Sequence, residues 1–147
     1  MKQRLSLTIA IIIVTAVLTL NAEAQTSAPQ RMHANVPFAF SVGEKTLPAG
    51  VYTLSVVNPN SDRQALQIRS ENGRFSAIIQ TSAVSARHID ATKLVFRRYG
   101  DHYFFAQIEV AGDATTLVAS RSRSERSIRR AIKQPAENTT VAAFLKR

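Results

Sequence analysis

The chain has 147 residues, 45% of them hydrophobic, with 19 Lys and Arg against 10 Asp and Glu, a formal net charge of +9 and no cysteine. That length suits one domain with a real core, and the lack of cysteine excludes disulfide bracing, thiol catalysis, Fe–S clusters and Cys-ligated zinc. The charge is uneven: residues 121–147 hold eight basic and two acidic residues, whereas residues 25–120 hold nine and seven.

Lys2 and Arg4 open the chain, an apolar run follows over residues 5–20, and Ala22-Glu23-Ala24 puts small residues at the two positions a signal peptidase reads. This is the pattern of a secretory signal peptide, residues 1–24. As a helix the apolar run spans about 24 Å, short of the ~30 Å hydrocarbon core, so cleavage after Ala24 is expected rather than a membrane anchor. The predicted product is exported, periplasmic or extracellular, with no transmembrane span after cleavage. Residues 25–35 are polar and small, contain Pro29 and read as a flexible lead-in.

From residue 36 to 147 the pattern predicts a single β domain. Residues 36–42 alternate, with Val36, Phe38, Phe40 and Val42 on one face and Pro37 marking an edge or a strand start. Gly43-Glu44-Lys45 and Leu47-Pro48-Ala49-Gly50 turn the chain, the second as a type I turn. Residues 51–57 form the next strand, with Tyr52, Leu54 and Val56 inward, and residues 64–70 another, with Leu66 and Ile68 inward. Asn72-Gly73 signals a tight hairpin in which both residues tolerate positive φ. Residues 74–81 return with Phe75, Ala77 and Ile79 on one face and Ile78 on the other, as in a strand covered on both sides; residues 82–91 read as a mixed connection.

Residues 93–110, KLVFRRYGDHYFFAQIEV, carry five of the ten Phe and Tyr residues and make a hairpin about Gly100-Asp101. Each ring removes roughly 150–250 Å² from water, so this ribbon is expected at the centre of the sheet. Residues 115–119 and 139–145 read as two further short strands. Between them, Ser122-Arg123-Ser124-Glu125 fits a capping box, and Ile128, Ala131 and Ile132 follow at helical spacing. A short basic helix is predicted over 123–133, inside a basic segment near 121–133, with Gln134-Pro135 ending it.

Two stretches resemble a known family. VPFAFSVGEKTLPAGVYTL, residues 36–54, is similar to the P-F-x-F-x-V-G-x-x-x-L-P-A-G-x-Y segment of small exported proteins common in acidobacteria. KLVFRRYGDHYFFAQI, residues 93–108, is similar to their second signature, F-x-R-Y-G-D-x-Y-F. The usual entry to the basic segment differs and reads Leu117-Val118-Ala119-Ser120-Arg121 here. The resemblance implies export and a β fold, and no catalytic residue, because the family has no assigned activity.

Enzymatic signatures are thin. His33, His88 and His102 are the only histidines; His88-Ile89-Asp90 and Asp101-His102 suggest a metal cluster only if other ligands converge. No G-x-S-x-G elbow, P-loop or dinucleotide fingerprint is present. An outer-membrane barrel is disfavoured by a strand count near seven and by Arg69, Arg74 and Arg97 on the outward face.

Two groups carry binding chemistry. Arg97, Arg98, Tyr99 and Asp101 form a candidate pocket, because one of the two arginines must share a face with Leu94 and Phe96. The bland alternative pairs an Arg with Asp101 or Glu109. Arg121, Arg123, Arg126, Arg129 and Arg130 form a candidate anion site, since guanidinium forks match planar anions; otherwise they are a solvated helix face. The expected architecture is all-β, mainly antiparallel, a small sandwich or barrel of about seven strands with one short C-terminal helix. The expected function is non-catalytic: an exported binding or structural protein of the cell envelope, with no cofactor, no metal and no specific nucleic acid. Its expected partner is an anionic polysaccharide or lipid head group. The alternatives are a small barrel carrying an apolar ligand and, behind it, a small hydrolase.

Overall fold

The structure is a computed structural model and describes residues 31–61, 63–133 and 135–146. The predicted signal peptide and the first part of the lead-in, residues 25–30, lie outside the described residues. The elements are β1 (Arg31–Val36), β2 (Phe40–Val42), β3 (Lys45–Leu47), β4 (Gly50–Val56), β5 (Arg63–Ser70), β6 (Ser76–Ser85), β7 (Lys93–Tyr99), β8 (His102–Glu109), β9 (Thr115–Ala119), α1 (Arg123–Ile132) and β10 (Glu137–Lys146).

Eight strands close into a barrel in the order β8-β7-β10-β1-β4-β5-β6-β9, and β9 pairs back onto β8. All neighbours in this ring are antiparallel. The fold is therefore the expected all-β antiparallel one, in its barrel form, with one short helix. An eight-stranded barrel is just wide enough for side chains to fill it or to hold one small ligand.

Period-two alternation sends Met32, Ala34, Val36, Tyr52, Leu54, Leu66, Ile68, Leu94, Phe96, Phe105 and Ile108 into one buried core. The Tyr52 hydroxyl donates to the Pro48 carbonyl at 2.6 Å, tying the Leu47-Pro48-Ala49-Gly50 turn to β4, and burial pushes the phenol's pKa up. Between β7 and β8 the register shifts at Val95/Phe96, where β8 carries Ala106 as an extra residue; such a bulge bends and twists a strand as barrel closure needs. The β7–β8 turn puts Gly100 at φ 58° with Asp101 at negative φ, the pattern of a type II′ hairpin.

β9 is shorter than its neighbours: five residues against ten in β6 and eight in β8. It meets only residues 107–109 of β8 and 81–85 of β6. The uncovered start of β8 is taken by β2, through a parallel pairing of Ser41 with Phe104. Lys45 of β3 reaches the other side and donates to the Ser76 carbonyl at the start of β6. The β2–β3 hairpin thus fills a wedge between two splayed strands and buries Phe40, Val42 and Leu47 there.

Four local expectations are corrected. Residues 36–42 are not one strand: β1 ends at Val36, the chain leaves the barrel at Pro37, and β2 starts at Phe40. Of the lead-in, Arg31 to Asn35 is not flexible but lies within β1, held between β4 and β10 with Met32 and Ala34 buried. At Asn72-Gly73 only Gly73 has positive φ, and the β5–β6 loop runs over residues 71–74. Asn72 shapes that loop with its side chain, accepting from the Arg74 N–H at 3.0 Å and from the Ser70 hydroxyl at 2.8 Å. Finally, Ile78 is 64% exposed, so β6 is covered on its inner face alone.

With eight barrel strands, strand number no longer argues against a membrane barrel, but polarity does. The inside is apolar, while Arg31 on β1 and Arg69 on β5 lie exposed outside; Arg74, expected on that face, lies in the β5–β6 loop. A lipid-embedded barrel has the reverse arrangement, an apolar outer band and a polar interior. Among the described residues no helix is long and apolar enough to cross a membrane.

Candidate functional site

Helix α1 lies on the outside of the barrel over the β7–β8 hairpin, and three sequence features hold it there. Ser122 caps its start, accepting from the Glu125 N–H at 3.0 Å, which is one half of the predicted capping box. The other half is not made, because the Glu125 carboxylate turns inward. Its Oε1 accepts from Arg97 Nε at 2.5 Å and from the Tyr99 hydroxyl at 3.2 Å, and its Oε2 accepts from Arg97 Nη2 at 3.0 Å. Glu125 is 1% exposed. A carboxylate so far from water is stable only when paired and fully hydrogen-bonded, and the bidentate guanidinium with the phenol meets that demand. Arg121 adds a second cation, its Nε 3.6 Å from Oε1.

The N–H groups that the capping box leaves open are taken by Glu44, from the β2–β3 turn. Its carboxylate accepts from the Arg123 N–H at 2.6 Å and from the Ser124 N–H at 3.3 Å. An anion at a helix start also meets the positive end of the helix dipole. The Arg123 N–H is the main reason the Glu44 carboxyl lies below its ordinary pKa. A carboxyl lowered on folding stabilises the fold above its unfolded pKa and loses that effect as pH falls through the folded value. Glu44→Gln is therefore expected to lower the melting temperature near neutral pH. In a pH series from 6 to 2, the gap to the native protein should close only below the ordinary carboxylate range.

At the other end Lys133 takes φ 54°, and its N–H donates to the Arg129 carbonyl at 3.3 Å, closing the helix. Ile132 sits over the hairpin turn, where a methyl on Gly100 would come within 3.7 Å of its Cδ1. The inner stripe of the helix is Glu125, Ile128 and Ile132; Ala131, predicted with them, is exposed.

The predicted pocket residues separate. Arg97 and Tyr99 lie on the outer face beneath α1 and meet on Glu125, not on Asp101 or Glu109. Arg98 faces the opposite way, over the Tyr103 ring at 5.5 Å, with its Nε donating to the Gly100 carbonyl at 2.7 Å. Asp101 is exposed at the hairpin tip. Tyr103 in turn stacks on Phe38 at 3.9 Å, and Phe96 meets Phe38 and Phe40 edge to face. The two stretches that carry the family resemblance thus pack on one another, and their aromatic residues have a structural role.

The basic residues divide in the same manner. Arg121 is drawn toward Glu125, and Arg123 is anchored through its backbone. Arg126, Arg129 and Arg130, joined by Lys133, line one concavity of about 390 Å³. These positions are three and four apart, so they share one helix face. Arg126 and Arg130, and Arg129 and Lys133, are like-charge pairs at i, i+4, each of which costs a free helix roughly 0.2–0.5 kcal/mol. Placement near the helix C-terminus offsets part of that cost, and a bound anion would remove the rest.

Elsewhere, His88 Nε2 lies 3.1 Å from Asp90 Oδ1 at the surface, and His102 is exposed at the start of β8. Among the described residues no three His, Asp or Glu side chains gather as a metal site would need. The sequence marked Glu125 only as a cap and Glu44 only as a turn residue; their partners lie 28 and 79 residues away, beyond any local pattern. Compared with family models, curated proteins and solved structures, the chain matches none.

Proposed function

We propose that this protein is a non-catalytic exported protein of the cell envelope that contacts an anionic polysaccharide or lipid head group through one face of α1. The observation that carries this is the convergence of Arg126, Arg129, Arg130 and Lys133 on one concavity, on a helix clamped to the barrel by Glu125 and Glu44. A rigid platform matters because a cation already held in place loses less freedom on binding than one on a loose tail. Export is supported by the signal-peptide pattern and by the family resemblance.

The test is binding of the purified protein to envelope fractions across a salt series, beside a variant with Arg126, Arg129 and Arg130 and Lys133 changed to Gln. Arg121 is left intact because it serves Glu125. Each cation near an anionic surface contributes about 1 kcal/mol, so the variant should bind several hundredfold more weakly. The native complex should dissociate as salt shortens the screening length below about 10 Å. Equal binding by both proteins, or by neither, would sink the proposal.

A closed eight-stranded barrel is also an architecture that carries small ligands, which supports the second reading, a carrier of an apolar molecule. Here Phe40, Tyr52, Phe96 and Phe105 contact one another in the core at centroid distances of 5.1–6.0 Å. A ligand inside would have to displace those rings, and its binding would be indifferent to salt.

A further inference from the structure

We infer that the outer face of β1, β4 and β5 holds a second binding site, for a saccharide that bears a carboxylate. This site is separate from α1: β4 lies four strands from β8 in either direction around the barrel, so the two faces point opposite ways.

Antiparallel register builds the site. Arg31, Ser55 and Gln67 lie side by side across the three strands, and His33, Thr53 and Arg69 form the next row. Strands about 4.8 Å apart and rows about 7 Å apart make a patch the size of one or two sugar rings. Polar residues on an outer barrel face are ordinary; here, however, they are recessed. Arg31, Thr53, Ser55, Gln67, Arg69 and Glu71 line a cleft of about 350 Å³, within the range of small-molecule sites. Thr53, Ser55 and Gln67 are half-buried and form the floor, while Arg31, Arg69 and Glu71 are exposed at the rim.

The donor set selects the ligand. Two hydroxyls and an amide each donate and accept, which matches the alternating demands of a polyol and wastes nothing on an apolar molecule. Two guanidiniums match a planar carboxylate. Glu71 leaves the cleft with one net positive charge, which favours the single carboxylate of one sugar-acid ring over a phosphate group. The parts are also pre-set. Thr53 Oγ1 lies 3.4 Å from His33 Nδ1. The Arg69 guanidinium rests against the turn, where a methyl on Gly73 would come within 3.2 Å of its Nη2. On β10, Phe144 is paired with His33 and is 71% exposed, an apolar ring beside the polar floor on which the C–H face of a sugar can lie.

The experiment is an amide NMR titration of the purified protein with three probes: trigalacturonate, a neutral trisaccharide and inorganic phosphate. Trigalacturonate is expected to saturate, with shifts at residues 53–55 and 67–71. The Arg31→Gln/Arg69→Gln variant should weaken it at least tenfold, and the α1 variant should bind it there within twofold of the native protein. If the double arginine variant misfolds, Ser55→Ala/Gln67→Ala serves instead, with the same expected loss. Shifts confined to α1, or none, overturn the site. Equal binding of the neutral trisaccharide or of phosphate overturns the carboxylate-bearing sugar as its ligand. Envelope binding by α1 is read separately, so either result leaves the other standing.

Discussion

Glu125→Ala is expected to cost about 3–5 kcal/mol, the usual penalty for breaking a buried ion pair from one side. For a domain of this size that lowers the melting temperature by roughly 10–20 °C. The loss is large because Arg97 cannot escape: its side chain is 11% exposed, and without Glu125 it keeps a charge with no partner. The Tyr99 hydroxyl, in a residue 1% exposed, loses its acceptor as well. Replacing both partners removes the orphaned charge and leaves only the Tyr99 hydroxyl without its acceptor, so Arg97→Met/Glu125→Leu should recover most of the loss. Thermal melts of Arg97→Met, Glu125→Leu and the pair form a double-mutant cycle, and single losses that simply add would show that the two side chains are not coupled. The same Glu125→Ala variant frees the inner stripe of α1, so the basic face should also lose its fixed geometry and bind envelope fractions more weakly.

Phe96→Ala is expected to cost about 3–5 kcal/mol in urea unfolding. Phe96 is 0% exposed and meets Phe38, Phe40 and Phe105 edge to face at centroid distances of 5.3, 5.2 and 6.0 Å. Truncation leaves a cavity between three rings carried by β8, by β2 and by the link before β2. It also removes aromatic pairs that contribute about 0.5–1.5 kcal/mol each beyond their area. The wedge hairpin loses one of its main contacts with the core, so its amides should exchange faster with solvent than those of β4 and β5. Phe144→Ala is the control: the ring is exposed, and its loss should shift stability by no more than about 0.5 kcal/mol. A Phe96→Ala midpoint as close to native as that of Phe144→Ala would mean that the rings do not pack as described.

The extents of β4, β5, β9 and the β7–β8 hairpin were legible because period-two alternation and turn residues are local properties. The division between β1 and β2 was not. Val36, Phe38, Phe40 and Val42 keep the same alternation through the break, and nothing nearby says that the chain leaves the barrel at Pro37. The alternation of Met32, Ala34 and Val36 would have revealed β1, but Arg31, His33 and Asn35 between them masked it as a polar lead-in. Barrel and sandwich could not be told apart, because closure rests on the pairing of β10 with β1 and β7 and of β6 with β9, and pairing of distant strands leaves no mark on either. In the binding groups, residue type was legible and company was not. That Arg97 serves Glu125 while Arg129 and Arg130 stay available follows from which helix face meets the barrel; Arg126 also donates to the Arg121 carbonyl at 2.6 Å.

β10 enters the ring between β7 and β1, and that position sets an order of events. Until residues 137–146 are in place, both of those strands present an open row of N–H and C=O groups, the edge at which sheets recruit other chains. One hundred residues separate the end of β1 from the start of β10, which a ribosome takes roughly 5–20 s to make at about 5–20 residues per second. Over that interval the growing chain has apolar strands but no closed barrel to hold them. The final strand therefore acts as a timer: the molecule cannot commit to its fold early, and whatever handles it in the meantime meets an open chain.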